Sequence, residues 1–456
     1  MFEWERLVTT MRLVGVGKYL VVALASTLAL SAQASAQQAA PSRDPMAPLP
    51  DKAQQTQPRP PQPGQPLPGQ PAPLVPFVAP VLPPPIWQVG DVQALIAYIQ
   101  TVGSEGLTPS DYDPAGLTAL LASRDPVAIS SAATDRFNKL SSDLALGHVR
   151  GDNRIDWHVV DNDLDGNRQR MLLDEALARH QVPAALTGLL PTHPQYGALR
   201  AALAQAAPGD TATINRIRLN MDRWRWLPRD LGQKYIIVNV PSFHATLVEN
   251  GVTRWKHRAI AGAIKTPTPN LSVMATGVIL NPWWEVPTSI SKEVAGKNGF
   301  VAVKGKDGKI QRWRQPPGPS NALGQMKFVM QNKYNIYLHD TNARSRFNSE
   351  VRALSHGCVR TQDVVELGTQ LLGDDGGAWD TAKVQETLAS KKTVQANFVK
   401  PVPVYIVYFS AAALLDGSIV NYTDLYKRDT KVIAALLDRA GNSPAAAAAD
   451  LAAKKL

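Results

Sequence analysis

Cysteine is all but missing: Cys358 is the only one among 456 residues. A lone thiol cannot close an internal disulfide, so a disulfide-stapled framework is excluded. Long hydrophobic runs are missing too. The main apolar stretch, "YLVVALASTLALSA", is about 14 residues long, against the roughly 20 that a membrane-spanning helix needs. The net charge of +10 and pI near 9.5 suggest an anionic neighbourhood. No arginine-rich arm, zinc-finger spacing or RNA-binding aromatic signature accompanies that charge, so nucleic acid is not the expected partner. Regular metal-ligand spacing is also lacking. Asp143, His148, Asp152, Asp156 and His158 are close in sequence without it, and are read as loop and cap residues rather than a metal centre.

What is present falls into blocks. Arg12 and Lys18 precede the apolar stretch, and Ala34 and Ala36 follow it, the pattern of a cleaved secretory signal over residues 1–36. Met11 is an alternative start. The chain's 36 prolines then concentrate in a repetitive linker over residues 37–86, which implies an extended spacer. Residues 87–210 read as a helical domain, because segments such as "DVQALIAYIQTVGSEGLTP" place Val92, Leu95, Ile96 and Ile99 at helical spacing. "INRIRLNMDRWRWLP" (214–228) looks like one more amphipathic helix. Residues 211–430 are mainly strand: "QKYIIVNVPSFHATLVENGVTRWKHRAIAG" alternates around a turn at Glu249, Asn250 and Gly251, as two paired strands would. One helix is expected after Arg360. The interval 288–320 has little periodicity and many glycines, prolines and basic residues, as an irregular lid insertion would. Residues 431–456 are read as a C-terminal helix with an alanine-rich tail. The fold class expected is therefore α+β, a helical domain followed by a mainly β one.

Three roles remain for Cys358: a buried inert hydrophobe, an intermolecular bridge, or a nucleophile. Its neighbours Ser355, His356, Gly357 and Arg360 make a polar, permissive turn, which favours the nucleophile. Glycine just before the thiol lets the backbone turn sharply, so that its N–H and that of the cysteine can converge as an oxyanion site. A free thiol is only a few per cent thiolate at neutral pH, so attack needs a base or a positive field. His339, at a strand end nineteen positions earlier, is the better base on geometry. For His356, a structural role stays open beside a substrate contact.

"IYLHDTNARSRFNSEVRALSHGCVR" resembles the signature of the L,D-transpeptidase catalytic domain. There a histidine precedes, by under twenty residues, a Ser/Thr-x-Gly-Cys-hydrophobic-Arg motif. "NPWWEVP", "PPGPSNALGQMKF" and "PVPVYIVYFSAAALLDGSIV" resemble the same domain in the large periplasmic branch, and "GLTPSDYD" and "DLALGHVR" its helical scaffold. The resemblance implies Cys358 as nucleophile, His339 as general base, the Asp340 carbonyl as its orienting partner, and Gly357 with Cys358 as the oxyanion site. It further implies that Tyr337 lines the pocket. Arg360 either stabilises the turn or holds a substrate carboxylate; Ser355 and His356 are grouped with it as substrate contacts. The family's small peptidoglycan-binding module has no room here, because "AAPGDTATINRIRLN" joins the two halves directly.

The activity implied is peptidoglycan cross-linking between third residues of stem peptides, through a cysteinyl thioester, in the periplasm. No metal or organic cofactor is implied, and carbapenems are implied as inhibitors. Related readings attach envelope proteins to peptidoglycan or release the acyl group to water or another amine. A non-catalytic wall-binding scaffold is the alternative of another class, which the joint presence of thiol, histidine, glycine and arginine opposes. A papain-like protease would need a histidine after the cysteine, and none follows Cys358.

Overall fold

The computed structural model describes residues 83–160, 163–414 and 416–438. The proposed signal, nearly all of the proline-rich linker and the alanine-rich tail lie outside the described residues.

Five helices open the described chain: α1 (Val89–Thr101), α2 (Pro114–Ser123), α3 (Pro126–Leu146), α4 (Gly166–Ala178) and α5 (Val182–Thr187). Asp125 shows how their starts are fixed: its carboxylate accepts the Val127 and Ala128 N–H groups, and Pro126 occupies the first helical position. These helices bury a common core that includes Leu95, Ile99, Phe137, Leu140 and Leu173. The next two, α6 (Pro194–Gln205) and α7 (Thr211–Trp224), behave differently. Tyr196, Ile217, Met221 and Trp224 pack against Tyr235, Tyr405 and Val407 of the sheet and against Phe409, which follows its last residue. α7 therefore begins three residues before the expected start and ends at Trp224, ahead of Pro228.

The strands that form the main sheet are β1 (Trp157–His158), β2 (Lys234–Asn239), β3 (His244–Glu249), β4 (Val252–Gly262) and β5 (Asn270–Leu280). After an insertion containing β6 (Trp284–Glu285), the one-turn helix α8 (Ser291–Val294), β7 (Val301–Lys304) and β8 (Ile310–Gln315), the sheet resumes with β9 (Met326–Met330), β10 (Leu338–His339), β11 (Ala353–Ser355), β12 (Val359–Thr361) and β13 (Val394–Val407). Its order is β1-β5-β13-β2-β3-β4-β12-β10-β9, with β11 beside β4, and β9 pairs with β5 as well. That second pairing closes the strands from β5 round to β9 into a barrel. The pairs β13–β2 and β10–β12 are parallel. Alternation specifies the inside: Leu271, Val273 and Ala275 are buried while Ser272, Met274 and Thr276 face out.

The expected turn at Asn250 and Gly251 is present, with φ of 51° and 76° between paired Glu249 and Val252, as a two-residue hairpin requires. The segment around it forms three strands rather than two, because a further turn at Val240–Phe243 divides its first half. After β12, α9 (Val364–Asp374) packs on the barrel core through Leu367 and Leu371; α10 (Thr381–Ala389), capped by Asp380, joins through Val384 and Leu388. A short hairpin, β14 (Ala411–Ala413) with β15 (Ile419–Asn421), and α11 (Asp429–Leu437) complete the described chain.

Asp143 and His148 are buried, contrary to the reading as loop and cap residues. Asp143 accepts the Tyr112 hydroxyl at 2.8 Å and bonds His148 Nδ1 at 2.8 Å. The charged pair holds the imidazole proton and raises its pKa despite burial. Beside them, fully buried Asp222 accepts His148 N–H at 2.6 Å, Val149 N–H at 3.1 Å and Trp226 Nε1–H at 3.0 Å. This carboxylate ties the end of α3 to α7. Asp222→Ala leaves those donors unpaired, and we expect it to destabilise the protein by about 3–5 kcal/mol. The midpoint of chemical denaturation reads this, with the exposed Asp416→Ala as the reference that shifts little.

Candidate active site

Cross-strand register assembles the site. β10 and β12 run parallel, with Leu338 opposite Val359 and His339 opposite Arg360. Successive side chains on a strand point to opposite faces. Leu338 and Val359 enter the barrel core, so His339 and Arg360 take the other face, and the same alternation brings Tyr337 and Cys358 to that face too. Nineteen residues of separation in sequence become one strand spacing.

Cys358 stands at the end of a turn that only some residues allow. Gly357 has φ of +113°, a backbone conformation that favours glycine. Ser355 is buried. Its hydroxyl donates to the Cys358 carbonyl at 2.5 Å and accepts the Gly357 N–H at 3.1 Å. Thr268 Oγ1 donates to the Gly357 carbonyl at 2.7 Å. Two expectations are corrected by these bonds. Ser355 shapes the turn instead of facing a substrate, and the Gly357 N–H is already engaged by Ser355, so it does not stand free beside the Cys358 amide as an oxyanion donor.

The half-buried thiol donates to the Asn335 carbonyl at 3.5 Å. Burial pushes its pKa up, while hydrogen bonds from the Tyr337 amide and hydroxyl and the charges of Lys327 and Arg360 pull it back. The Trp284 indole of the insertion in turn favours the ionised form of the Tyr337 phenol, which burial otherwise opposes. His339 is buried, and its Nδ1–H donates to the Asp340 carbonyl at 2.5 Å, which leaves Nε2 as the lone-pair nitrogen. Desolvation first, and the Arg360 charge second, lower its pKa to about 3. Thiol and imidazole therefore rest as a neutral pair. The Asp340 side chain is structural: it accepts the Gln325 N–H at 2.9 Å and Arg344 Nη2 at 2.9 Å.

His356 lies outside this arrangement. Its Nε2 is 3.4 Å from Glu293 Oε1 in the insertion, with both side chains about half exposed. The insertion itself is not irregular as expected. β6, β8 and β7 form a three-stranded sheet, and Trp284, Val286, Ile290, Val294, Phe300 and Trp313 give it a small core. Sparse aromatic residues separated by glycines concealed this order in the sequence. A cavity of about 530 Å³ beside the Gly357 turn is lined by Ile264, Pro267, Tyr334, Ile336 and His356, and also by Asp156 and Arg428. His158 stacks on Tyr334 at 4.4 Å between centroids. Among the described residues no cluster of three or more His, Cys, Asp or Glu is disposed to hold a metal.

Sequence reasoning missed Trp284, Lys327 and Asn335. Lys327 carried a signal: it is the one charge in "MKFVM", on the face opposite the buried Met326, Phe328 and Met330.

Residues 233–396 match the family model of the L,D-transpeptidase catalytic domain (YkuD), and residues 83–203 match that of the Scaffold domain. The chain carries an L,D-transpeptidase catalytic domain. A Haemophilus influenzae protein named "Putative L,D-transpeptidase" is 32% identical over 243 residues, which cover 48% of each chain. This chain thus spans about half the length of that curated relative. Among solved structures, an Enterococcus faecium L,D-transpeptidase aligns with TM-score 0.22 and 14% identity over 40% of this chain and 52% of that one. L,D-transpeptidase 1 of Mycobacterium tuberculosis aligns with TM-score 0.19 and 11% identity over 38% and 61%.

Tyr337→Phe removes one of the hydrogen bonds that favour the thiolate. The thiol pKa, already raised, is expected to move further up, and iodoacetamide alkylation at pH 7 to slow by about 3–10-fold, as a loss of roughly 1 kcal/mol implies. The alkylation rate followed from pH 6 to 10 checks this. Because His339 stays neutral above about pH 3, no inflection from its protonation is expected near pH 6.5.

Proposed function

We propose that this protein is a peptidoglycan L,D-transpeptidase that works outside the cytoplasm after export, with Cys358 as nucleophile and His339 as base. The observation that supports this most is the placement of the thiol and a buried neutral imidazole on one face of adjacent parallel strands, within a domain of that family. In the first step His339 Nε2 takes the thiol proton as sulfur attacks the carbonyl carbon of the third stem residue. The bond to the fourth residue breaks, and its nitrogen leaves as an amine after taking the proton from His339. A thioester remains on Cys358. In the second step an amine on the third residue of another stem attacks that thioester, its proton passes to His339, and the thiol is restored with one new amide bond.

No external reductant, oxidant or cofactor is required by this balance. Neutral histidine suits both directions of proton transfer. Negative charge on the carbonyl oxygen would be met by the Cys358 amide. Carbapenems, whose strained amide offers the same electrophilic carbon, would acylate the same sulfur; a solved L,D-transpeptidase in complex with imipenem is among the structures similar to this chain.

Intact-protein mass after incubation with a disaccharide-tetrapeptide, and separately with meropenem, tests the reading. Wild type is expected to gain the acyl mass, Cys358→Ala to gain none while keeping its melting transition, and His339→Ala to acylate at least about a hundredfold more slowly. Absence of any adduct on wild-type Cys358 from either reagent would sink the assignment. Analysis of the released product identifies the acceptor: a dimer linked through third residues supports transpeptidation, and a free tripeptide stem would make the protein a carboxypeptidase.

A further inference from the structure

Lys327, His339 and Arg360 lie in one row across three strands: His339 is opposite Lys327 on β9 and opposite Arg360 on β12. Adjacent strands are spaced about 4.8 Å apart, so two cations flank the buried imidazole. Both are partly buried. Among the described residues neither lies within ion-pairing distance of a carboxylate, and the charge of Glu285 reaches Lys327 only from further off; the Lys327 ammonium sits 4.9 Å from the centre of the Tyr337 ring. Arg346 adds further positive charge beside Arg360. Partly desolvated cations are normally paired, and an imidazole between two of them is a poor proton acceptor until an anion offsets their field.

We propose that Lys327 and Arg360 form a carboxylate-binding subsite beside Cys358, and that its ligand is the terminal carboxylate of the residue expelled from the acyl donor. This assignment of the ligand rests on the function proposed above; the anion site itself does not. Arg360 stands two strand residues beyond Cys358 on the same face, about 6.6 Å along the backbone. That suits a carboxylate one residue beyond the carbonyl that the sulfur attacks. Lys327 reaches the same region from across His339. Bound there, the carboxylate would offset both cations at the moment His339 must become positive, so a donor lacking it would meet a weaker base.

Two small reagents separate anion binding from thiol activation, because iodoacetate and iodoacetamide alkylate sulfur by the same displacement and differ in one carboxylate. The ratio of their rate constants on wild-type Cys358 is expected to exceed that on Lys327→Met about tenfold, with Lys327→Arg within threefold of wild type, as for one charge-assisted contact. If both reagents slow equally in Lys327→Met, Lys327 acts only on the thiolate and the subsite is overturned. The second arm compares thioester formation from a tetrapeptide stem ending in a free carboxylate with the same stem ending in an amide. Wild type is expected to favour the acid about tenfold, and Lys327→Met to lose that preference. Equal acylation by both in wild type overturns the assignment to the leaving residue. A high iodoacetate ratio with no thioester from either stem supports the anion site but overturns its ligand, and marks the failure as one of the proposed function.

Discussion

The parallel pairing of Leu338 and His339 with Val359 and Arg360 is the constraint on which the rest of the site depends. It is two residue pairs long, too short to be stable alone, and it is held because Leu338 and Val359 are inserted into the barrel core. Burial of two aliphatic side chains on one face thereby fixes where thiol, imidazole, phenol and guanidinium lie on the other. A slip of one residue would send Cys358 into the core and Val359 to the surface, since strand faces alternate. Chemical precision here is inherited from hydrophobic register.

The electrostatics follow from the same placement. Burial raises the thiol and lowers the imidazole, so neither ionises at rest. The Asn335 carbonyl accepts the thiol S–H and the Asp340 carbonyl accepts the Nδ1–H as hydrogen bonds, both from main-chain groups that carry no net charge. A thiol kept protonated is a poor target for oxidants. Activation is left to whatever fills the space between Lys327 and Arg360.

Much of the architecture was legible in the sequence because its signals are local. The helical spacing of Leu95, Ile96 and Ile99, the Asn250–Gly251 turn and the alternation through β2 and β3 each reflect a period of one element. The thiol, histidine, glycine and arginine were legible as residue types whose chemistry has few other uses together. What escaped was relational. That the Gly357 amide is spent on Ser355 depends on how three residues fold back on one another. That Asp222 is buried under two backbone amides and an indole depends on a segment more than seventy positions away. The insertion's order was hidden because six dispersed apolar residues acquire a common core only after β6 and β8 pair.

The central strand β13 carries a consequence for how the protein can be divided. It runs from Val394 to Val407, and its second half, from Val402, supplies the pairs with both β2 and the start of β5. The segment matched to the catalytic-domain family stops at residue 396. A chain cut at that point would lose the stave that joins two sides of the barrel, expose the edges of β2 and β5, and uncover Tyr235 and the faces of α6 and α7 that rest on Tyr405 and Val407. The smallest piece able to hold the active-site register is therefore set by the barrel's closure and its helical buttress, and it is larger than the span over which the family's residues recur.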